Sequence, residues 1–261
     1  MSGHALASSL IADAASFGLS LSADRWEQVA RYRDLLLEWN DRFNLTAITE
    51  PAGVERRLIL DALRMLPILD ARVAAMTSKA AVRLVDVGTG AGFPGLALKI
   101  ARPELDVTLV EATGKKVRFL EHVMVTLGLS GTRAIHARAE DLGHDPSHRA
   151  QYDIATARAV ASLPALLELC APLLHPGGLT LFPKSVELDE ELEAGRRAAP
   201  LVGMTVEPSV ILPDSSTRLV TAIKTGVTPS RFPRRAGIPA REPLGGAVPA
   251  RRKASRGGTT P

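Results

Sequence analysis

The chain has 261 residues, 46% of them hydrophobic and 23% charged, which is enough to bury a core without disulfides or metal. Its single cysteine, Cys170, excludes a disulfide framework and a zinc site built from cysteines. No run approaches the roughly 18 apolar residues of a membrane span, and residues 1–10 lack the basic region of a secretory signal. We therefore expect a cytoplasmic protein that does not bind a membrane.

The N-terminal part of the sequence predicts helices, over residues 5–18, 22–45 and 54–68. In the second of these, Trp26, Val29 and Leu36 recur near helical spacing, and Ser22 before them is a suitable N-cap. Residues 1–70 are therefore expected to form a helical lobe.

The pattern then changes to strands that alternate with helices. Strands are predicted over residues 82–87, 107–110, 134–136, 152–157 and 178–182, and helices over 94–100, 115–127, 163–174 and 186–198. Residues 205–211 and 219–224 are predicted to be a closing antiparallel pair. This alternation is typical of a doubly wound α/β sheet, which we assign to residues 71–225.

Positive charge is concentrated at the C-terminal end. The whole chain has a net charge of +4, whereas residues 226–261 alone carry eight Lys or Arg and one acid. The same segment is rich in Pro, Gly and Ala, a composition that favours disorder. It is expected to be a mobile basic tail, which either contacts a polyanion or is simply solvated.

A glycine-rich loop follows the first predicted strand. Glycines at Gly88, Gly90 and Gly92 permit positive φ and a close approach of ligand to backbone. With Gly95 the spacing also fits the dinucleotide pattern, so an NAD-dependent oxidoreductase is one hypothesis. Asp86, just before the glycines, would repel a pyrophosphate and suits a ligand with an ammonium group. S-adenosylmethionine is therefore the favoured ligand.

Acids also follow the next two predicted strands. Glu111 ends the second strand and is suited to accept both ribose hydroxyls of either ligand. Ala139 and Glu140 follow the third strand, where a backbone N–H or the Glu140 carboxylate is placed to contact an adenine. A helix cap explains Glu140 equally well.

Longer motifs are more specific than the glycine loop. They are EWNDRFNLT at residues 38–46, DVGTGAGFPG at 86–95, GKKVRFL at 114–120, ARAVASL at 157–163 and RFPRRAGIP at 231–239. In this order they resemble the bacterial 16S ribosomal RNA guanine-N7 methyltransferase G family, also called the glucose-inhibited division protein B family. The resemblance spans about residues 20–245.

The resemblance implies a Rossmann-like class I methyltransferase sheet, S-adenosylmethionine as cofactor, and methyl transfer to N7 of guanine 527 in 16S ribosomal RNA, free or in the small ribosomal subunit. It implies a cofactor site formed by Asp86, Gly88, Gly90, Phe93, Glu111, Ala139, Glu140 and Arg158. Arg158 is expected to hold the cofactor carboxylate or an RNA phosphate, and Lys184 to meet RNA, as the two catalytic candidates. No metal is expected, and nothing in the sequence suggests more than a monomer.

Basic side chains are expected to supply most of the RNA affinity. The candidates are Arg56, Arg57, Lys115, Lys116, Arg118, Arg231, Arg234 and Arg235. Two positions depart from the family, because Leu58 stands where a histidine is common and Ala157 where a serine is common. A methyltransferase for a different RNA or for a protein remains an alternative, and a salt bridge to Asp86 or Asp153 is the alternative role for Arg158.

Overall fold

The structure, a computed structural model, describes residues 6, 8–76, 81–158 and 160–246. It begins with α1 (Ser8–Ser16), α2 (Ala23–Phe43), α3 (Pro51–Val54), a π-helical turn (Glu55–Leu60), α4 (Asp61–Leu63) and α5 (Leu66–Ala75). Helix α2 ends because Asn44 adopts a left-handed backbone with φ of 48°, which asparagine tolerates better than most residues. The Asn40 side-chain oxygen then accepts the N–H of Thr46 (2.8 Å).

The single helix expected over residues 54–68 is therefore wrong in detail. The chain forms a π-helical turn at Glu55–Leu60 and restarts as α5 at Leu66. Pro67 lies in the first turn of α5, where its missing N–H costs nothing, but it could not continue a preceding helix.

The rest of the described chain is one mixed sheet with its helices. The elements are β1 (Arg83–Val87), α6 (Gly95–Ala101), β2 (Asp106–Glu111), α7 (Gly114–Thr126), β3 (Thr132–His136), α8 (Ala139–Leu142), β4 (Tyr152–Thr156), α9 (Leu163–Cys170), β5 (Leu174–Ser185), α10 (Asp189–Ala198), β6 (Met204–Val206), β7 (Val210–Ile211), β8 (Thr217–Lys224) and α11 (Ile238–Arg241). The strand order is β3-β2-β1-β4-β5-β8-β6, and β7 pairs with β8. Strands β1 to β5 are parallel to their neighbours in that series, while β8 runs antiparallel to β5.

Each face of the sheet is covered by its own hydrophobic core. Successive strand residues point to opposite faces, so Leu84 packs with α2, α6 and α7 while Val85 packs with α9 and α10. Leu109 and Val110 on β2 divide in the same way. The helical lobe therefore shares one continuous core with a face of the sheet, and the expected doubly wound α/β architecture is confirmed.

The closing strands differ slightly from the expected antiparallel pair. Residues 205–211 form two short strands, β6 and β7, which both pair with β8. Pro208 lies between them and has no N–H to donate to a ladder, so the pairing is interrupted there.

Residues 226–246, expected to begin a mobile tail, are folded against the sheet domain. The Arg149 guanidinium donates to the carbonyl oxygens of Thr228 (2.8 Å) and Phe232 (3.0 Å). Arg234 forms an ion pair with Glu168 on α9 (Nη2 to Oε2, 2.7 Å). These contacts correct the expectation for this stretch, and residues 247–261 lie outside the described residues.

Within the described ranges, no helix is both long and apolar enough to cross a membrane. In the same part of the chain, no cluster of three or more His, Cys, Asp or Glu side chains has the arrangement of a metal site.

Candidate active site

The backbone conformation and the close packing of the loop between β1 and α6 require glycine. Gly88, Gly90 and Gly92 all have positive φ, of 65°, 62° and 98°. A Cβ on Gly88 would lie 2.6 Å from the side chain of Val160, so only glycine lets these two parts of the chain meet. The loop is supported from the helical lobe, because Tyr32 Oη donates to the carbonyl oxygen of Ala91 (2.6 Å).

Asp86 lies beneath this loop. Its side chain is fully buried, and its Oδ2 accepts hydrogen bonds from Thr89 Oγ1 (2.5 Å) and from the N–H of Gly95 (2.9 Å). Burial raises the pKa of Asp86 to about 7, although both hydrogen bonds oppose the rise. Asp86 therefore shapes the loop from below through Oδ2, while its buried Oδ1 has no hydrogen-bond partner among the described residues.

Glu111 ties the loop to the end of β2. Its carboxylate accepts the N–H of Gly90 (to Oε2, 3.0 Å) and the N–H of Thr113 (to Oε1, 2.8 Å). A carboxylate has about four acceptor positions, so two are left for other donors. The residues on either side, Val110 and Ala112, line the neighbouring cavity, so Glu111 lies at its edge.

That cavity has a volume of about 190 Å³ at the carboxyl ends of the parallel strands. Its walls are Val87, Gly88, Val110, Ala112, Ala137, Arg138, Ala139, Glu140, Val160, Ala161, Leu169, Gly237 and Ala240. We call it the cofactor pocket. Of the predicted cofactor residues, Gly88, Ala139 and Glu140 line it directly. Glu111 lies between two of the lining residues and is hydrogen-bonded to Gly90.

The Glu140 carboxylate has a partner that the sequence did not reveal. Its Oε1 accepts the N–H of Gly237 (2.8 Å), from the C-terminal segment. Gly237 and Ala240 then form one wall of the cofactor pocket. Glu140 therefore closes the pocket by holding the C-terminal segment against it.

Phe93 and Arg158 do not line the cofactor pocket. The Phe93 ring is buried and stacks on Tyr32, with centroids 5.0 Å apart, so it supports the glycine loop from the side of the lobe. Arg158 points to a second cavity because Asp61 on α4 and the carbonyl oxygens of Arg57 and Leu58 hold its guanidinium there. Its salt-bridge partner is thus Asp61, and neither Asp86 nor Asp153.

This second cavity, the basic cleft, lies between the helical lobe and the ends of β4 and β5. It has a volume of about 970 Å³. Its cations are Arg56, Arg57, Arg64, Arg158 and Lys184, and its acids are Asp61, Glu191 and Asp214. The cations outnumber the acids, so the cleft favours a polyanion.

Lys184, the other predicted catalytic residue, lies in this cleft. Its Nζ contacts Glu191 Oε1 (2.5 Å) and donates to the carbonyl oxygen of Ala161 (3.0 Å). Val160 and Ala161 line both the basic cleft and the cofactor pocket. The two cavities therefore meet at these two small apolar residues.

Several contributing residues carry no recognisable sequence signal. Tyr32 and Asp61 are far along the chain from the residues they contact, whereas Glu191 pairs with the nearby Lys184 and also accepts the more distant N–H of Leu163. Each of the three lies in a helix where it fits the ordinary pattern. Of the cations expected to bind RNA, Arg234 is occupied by Glu168, whereas Arg56 and Arg57 line the basic cleft.

The strand order with one antiparallel strand next to β5, the glycine loop after β1 and the acid that ends β2 define a class I S-adenosylmethionine-dependent methyltransferase. Within that class, the family model for GidB, rRNA small subunit methyltransferase G, matches residues 25–216, and the chain belongs to this family.

Curated relatives agree over nearly their whole length. The ribosomal RNA small subunit methyltransferase G of Chloroflexus aggregans is 46% identical over 238 residues, which cover 90% of this chain and 97% of that protein. The proteins of the same name from Roseiflexus castenholzii and Desulfitobacterium hafniense are 44% and 39% identical, covering 90% and 87% of this chain and 98% and 92% of their own. The chain is thus an S-adenosylmethionine-dependent methyltransferase of ribosomal RNA, and an NAD-dependent oxidoreductase is not supported.

Proposed function

We propose that this chain methylates N7 of guanine 527 in 16S ribosomal RNA within the small ribosomal subunit, acting as a monomer in the cytoplasm. The target is the one implied by the family resemblance. The observation that carries the proposal is the meeting of the cofactor pocket and the basic cleft at Val160 and Ala161. At these two residues, a base bound in the cleft would come next to a methyl donor bound in the pocket.

The residues present fit S-adenosylmethionine. A Cβ built on Gly90 would meet no atom within 4 Å, so the loop has open space for a ligand to lie against it. Glu111 keeps two acceptor positions, which suit the two ribose hydroxyls. The apolar walls Val87, Val110 and Leu169 suit an adenine ring. When bound, S-adenosylmethionine supplies an electrophilic methyl group on a sulfonium.

The chemistry asks little of the protein beyond positioning. Guanine N7 has an exposed lone pair and carries no proton at neutral pH, so no general base is required. The chain must hold N7 in line with the methyl carbon and exclude water from the contact. Val160 and Ala161 provide an apolar boundary for that approach.

Arg56, Arg57, Arg158 and Lys184 are proposed to bind RNA phosphates or the base next to this boundary. Arg158 and Lys184 are both held in place, by Asp61 (3.4 Å) and by Glu191 (2.5 Å) respectively. Binding that depends on such contacts should weaken steeply as salt rises. A dependence on salt weaker than that of one or two phosphate contacts would count against the cleft as the RNA site.

The test is methyl transfer to small subunits that lack the modification. The protein is incubated with S-adenosylmethionine carrying a labelled methyl group, and the labelled nucleotide is mapped. N7-methylguanine at position 527 is expected. Label on another nucleotide, on another atom of that guanine or on a protein would refute the proposal. S-adenosylhomocysteine should also raise the melting temperature, while NAD should not.

A further inference from the structure

We propose that Lys184 and Glu191 together recognise the Watson–Crick edge of the target guanine, and this proposal rests on the function proposed above. Both side chains line the basic cleft, and their exposed fractions are only 14% and 18%. Removing these two charges from water costs desolvation free energy, which is offset only if the remaining donors and acceptors of the pair also form hydrogen bonds.

The pair leaves unused one N–H donor of Lys184 and one carboxylate oxygen of Glu191, which has two acceptor positions. The Lys184 ammonium has three N–H donors, of which one goes to Glu191 Oε1 (2.5 Å) and one to the carbonyl oxygen of Ala161 (3.0 Å). Glu191 Oε1 also accepts the N–H of Leu163 (2.5 Å). Among the residues that the structure describes, Glu191 Oε2 has no hydrogen-bond partner.

This arrangement matches guanine and opposes adenine. Guanine presents the acceptor O6 beside two donors, N1–H and the N2 amino group, so O6 fits the lysine and the donors fit the carboxylate. Adenine presents a donor amino group beside the acceptor N1, which would place a donor against the ammonium and a lone pair against the carboxylate. A polar site of this kind rejects the wrong partner because its own groups would be left unpaired.

The position of the pair also fits transfer to N7. Ala161, whose carbonyl oxygen holds Lys184, lines both cavities. On a guanine, N7 and O6 are neighbours on one edge, and N1 and the N2 amino group follow. A guanine whose O6 meets Lys184 therefore has N7 beside this lysine, whose Nζ is bound to Ala161 at the junction with the cofactor pocket.

The neighbouring polar groups support this choice of residues. Asp61 is already occupied, because it pairs with Arg64 (3.0 Å) and Arg158 (3.4 Å). In contrast, the hydroxyl of Ser162 lines the same cleft and is buried with no partner among the described residues. Buried hydroxyls are rarely left unpaired, so a polar ligand at this point would complete it.

The first test needs no variant. The wild-type chain is assayed on small subunits that carry guanine or hypoxanthine at the target position, the latter lacking only the N2 amino group. We expect kcat/KM for hypoxanthine to be lower by about 10- to 100-fold, the range for a lost hydrogen bond to a charged group. Equal rates on the two bases would overturn the inference.

The second test changes the carboxylate. Glu191→Gln keeps an oxygen for the N–H of Leu163 but removes the charge, whereas Glu190→Gln is the same change on the exposed neighbouring residue of α10. Glu191→Gln should lower kcat/KM for guanine about 10- to 100-fold and lose most of the preference over hypoxanthine, while Glu190→Gln should resemble wild type. Both should bind S-adenosylhomocysteine with the wild-type Kd.

The outcomes separate this inference from the proposed function. If Glu191→Gln slows transfer to both bases equally, the residue is only structural and the inference fails. If the wild-type chain methylates guanine N7 without discriminating against hypoxanthine, the inference alone fails. If the wild-type chain places the methyl group elsewhere, the proposed function fails.

Discussion

The ion pair between Arg234 and Glu168 gives a sharp test of how the C-terminal segment is held. The Glu168 side chain is 0% exposed, and it accepts from the Arg234 backbone N–H (2.8 Å), from Nε (2.9 Å) and from Nη2 (2.7 Å). Hydrogen bonding to this carboxylate raises the pKa of the Arg234 guanidinium. Arg234→Ala would leave the buried carboxylate with the backbone N–H alone.

The expected loss of folding stability in Arg234→Ala follows from the burial of the Glu168 carboxylate. Removing one partner of a buried ion pair costs about 3–5 kcal/mol, because an uncompensated charge stays behind. The Arg234 side chain is 28% exposed, so water reaches the gap and the lower end, about 3 kcal/mol, applies. In a chain of this size each kcal/mol shifts the melting temperature by about 2–4 °C, so Tm should fall by about 6–12 °C.

Thermal melts and urea titrations measure this loss. Arg235→Ala, at the exposed neighbouring arginine, should change stability by less than about 0.5 kcal/mol. The double variant Arg234→Met with Glu168→Leu removes both charges and should recover most of the stability. A fall in Tm for Arg234→Ala no larger than that of Arg235→Ala would refute the reasoning, as would a double variant less stable than Arg234→Ala.

Three further predictions concern the two cavities. Glu111→Gln should weaken S-adenosylhomocysteine binding about tenfold in calorimetry, since a charged acceptor is lost. Glu121→Gln, on the exposed side of α7, should leave the Kd unchanged. Equal Kd values for the two variants would contradict the assignment of Glu111 to the ribose. Because burial raises the Asp86 pKa from 3.8 to about 7, the folded chain holds a proton between pH 4 and 7 that the unfolded chain releases. The Tm of the wild-type chain should therefore fall relative to that of Asp86→Asn as pH rises from 4 to 7. A Tm difference that does not change with pH would exclude the raised pKa. Arg158→Ala should reduce methyl transfer at least about tenfold with an unchanged Kd for S-adenosylhomocysteine, whereas loss of that binding would return Arg158 to the cofactor site.

The sheet could be predicted because its strands carry a strong local signal. Parallel strands covered on both faces are almost continuously apolar, so the runs near Leu84 and Leu109 stand out between turn residues. The glycine loop was equally clear, since Gly88, Gly90 and Gly92 follow the first predicted strand directly and are visible in the sequence itself. The folded C-terminal segment was not predicted, because a Pro- and Arg-rich composition does not show whether the rest of the fold provides a buried acid for one of the arginines. Here Glu168 is that acid, and it pairs with Arg234.

Side-chain partners were the part of the site that the sequence could not supply. The family resemblance left Arg158 with either the cofactor carboxylate or an RNA phosphate as its partner, and Asp61, distant in sequence, directs its guanidinium into the basic cleft. Glu191 has the appearance of an ordinary acid in the first turn of α10, where such residues are common. Contacts between distant charges leave no periodic pattern, so only the fold reveals which of them meet.

The cofactor pocket is completed by both ends of the described chain. Tyr32, in the helical lobe, donates a hydrogen bond to the glycine loop, and Gly237, in the C-terminal segment, donates one to Glu140 and forms part of the pocket wall. A nascent polypeptide therefore gains its donor site only after Gly237 has been synthesised and has folded against Glu140. Residues that are about 200 positions apart in the sequence are thus needed together before the methyl donor can be held.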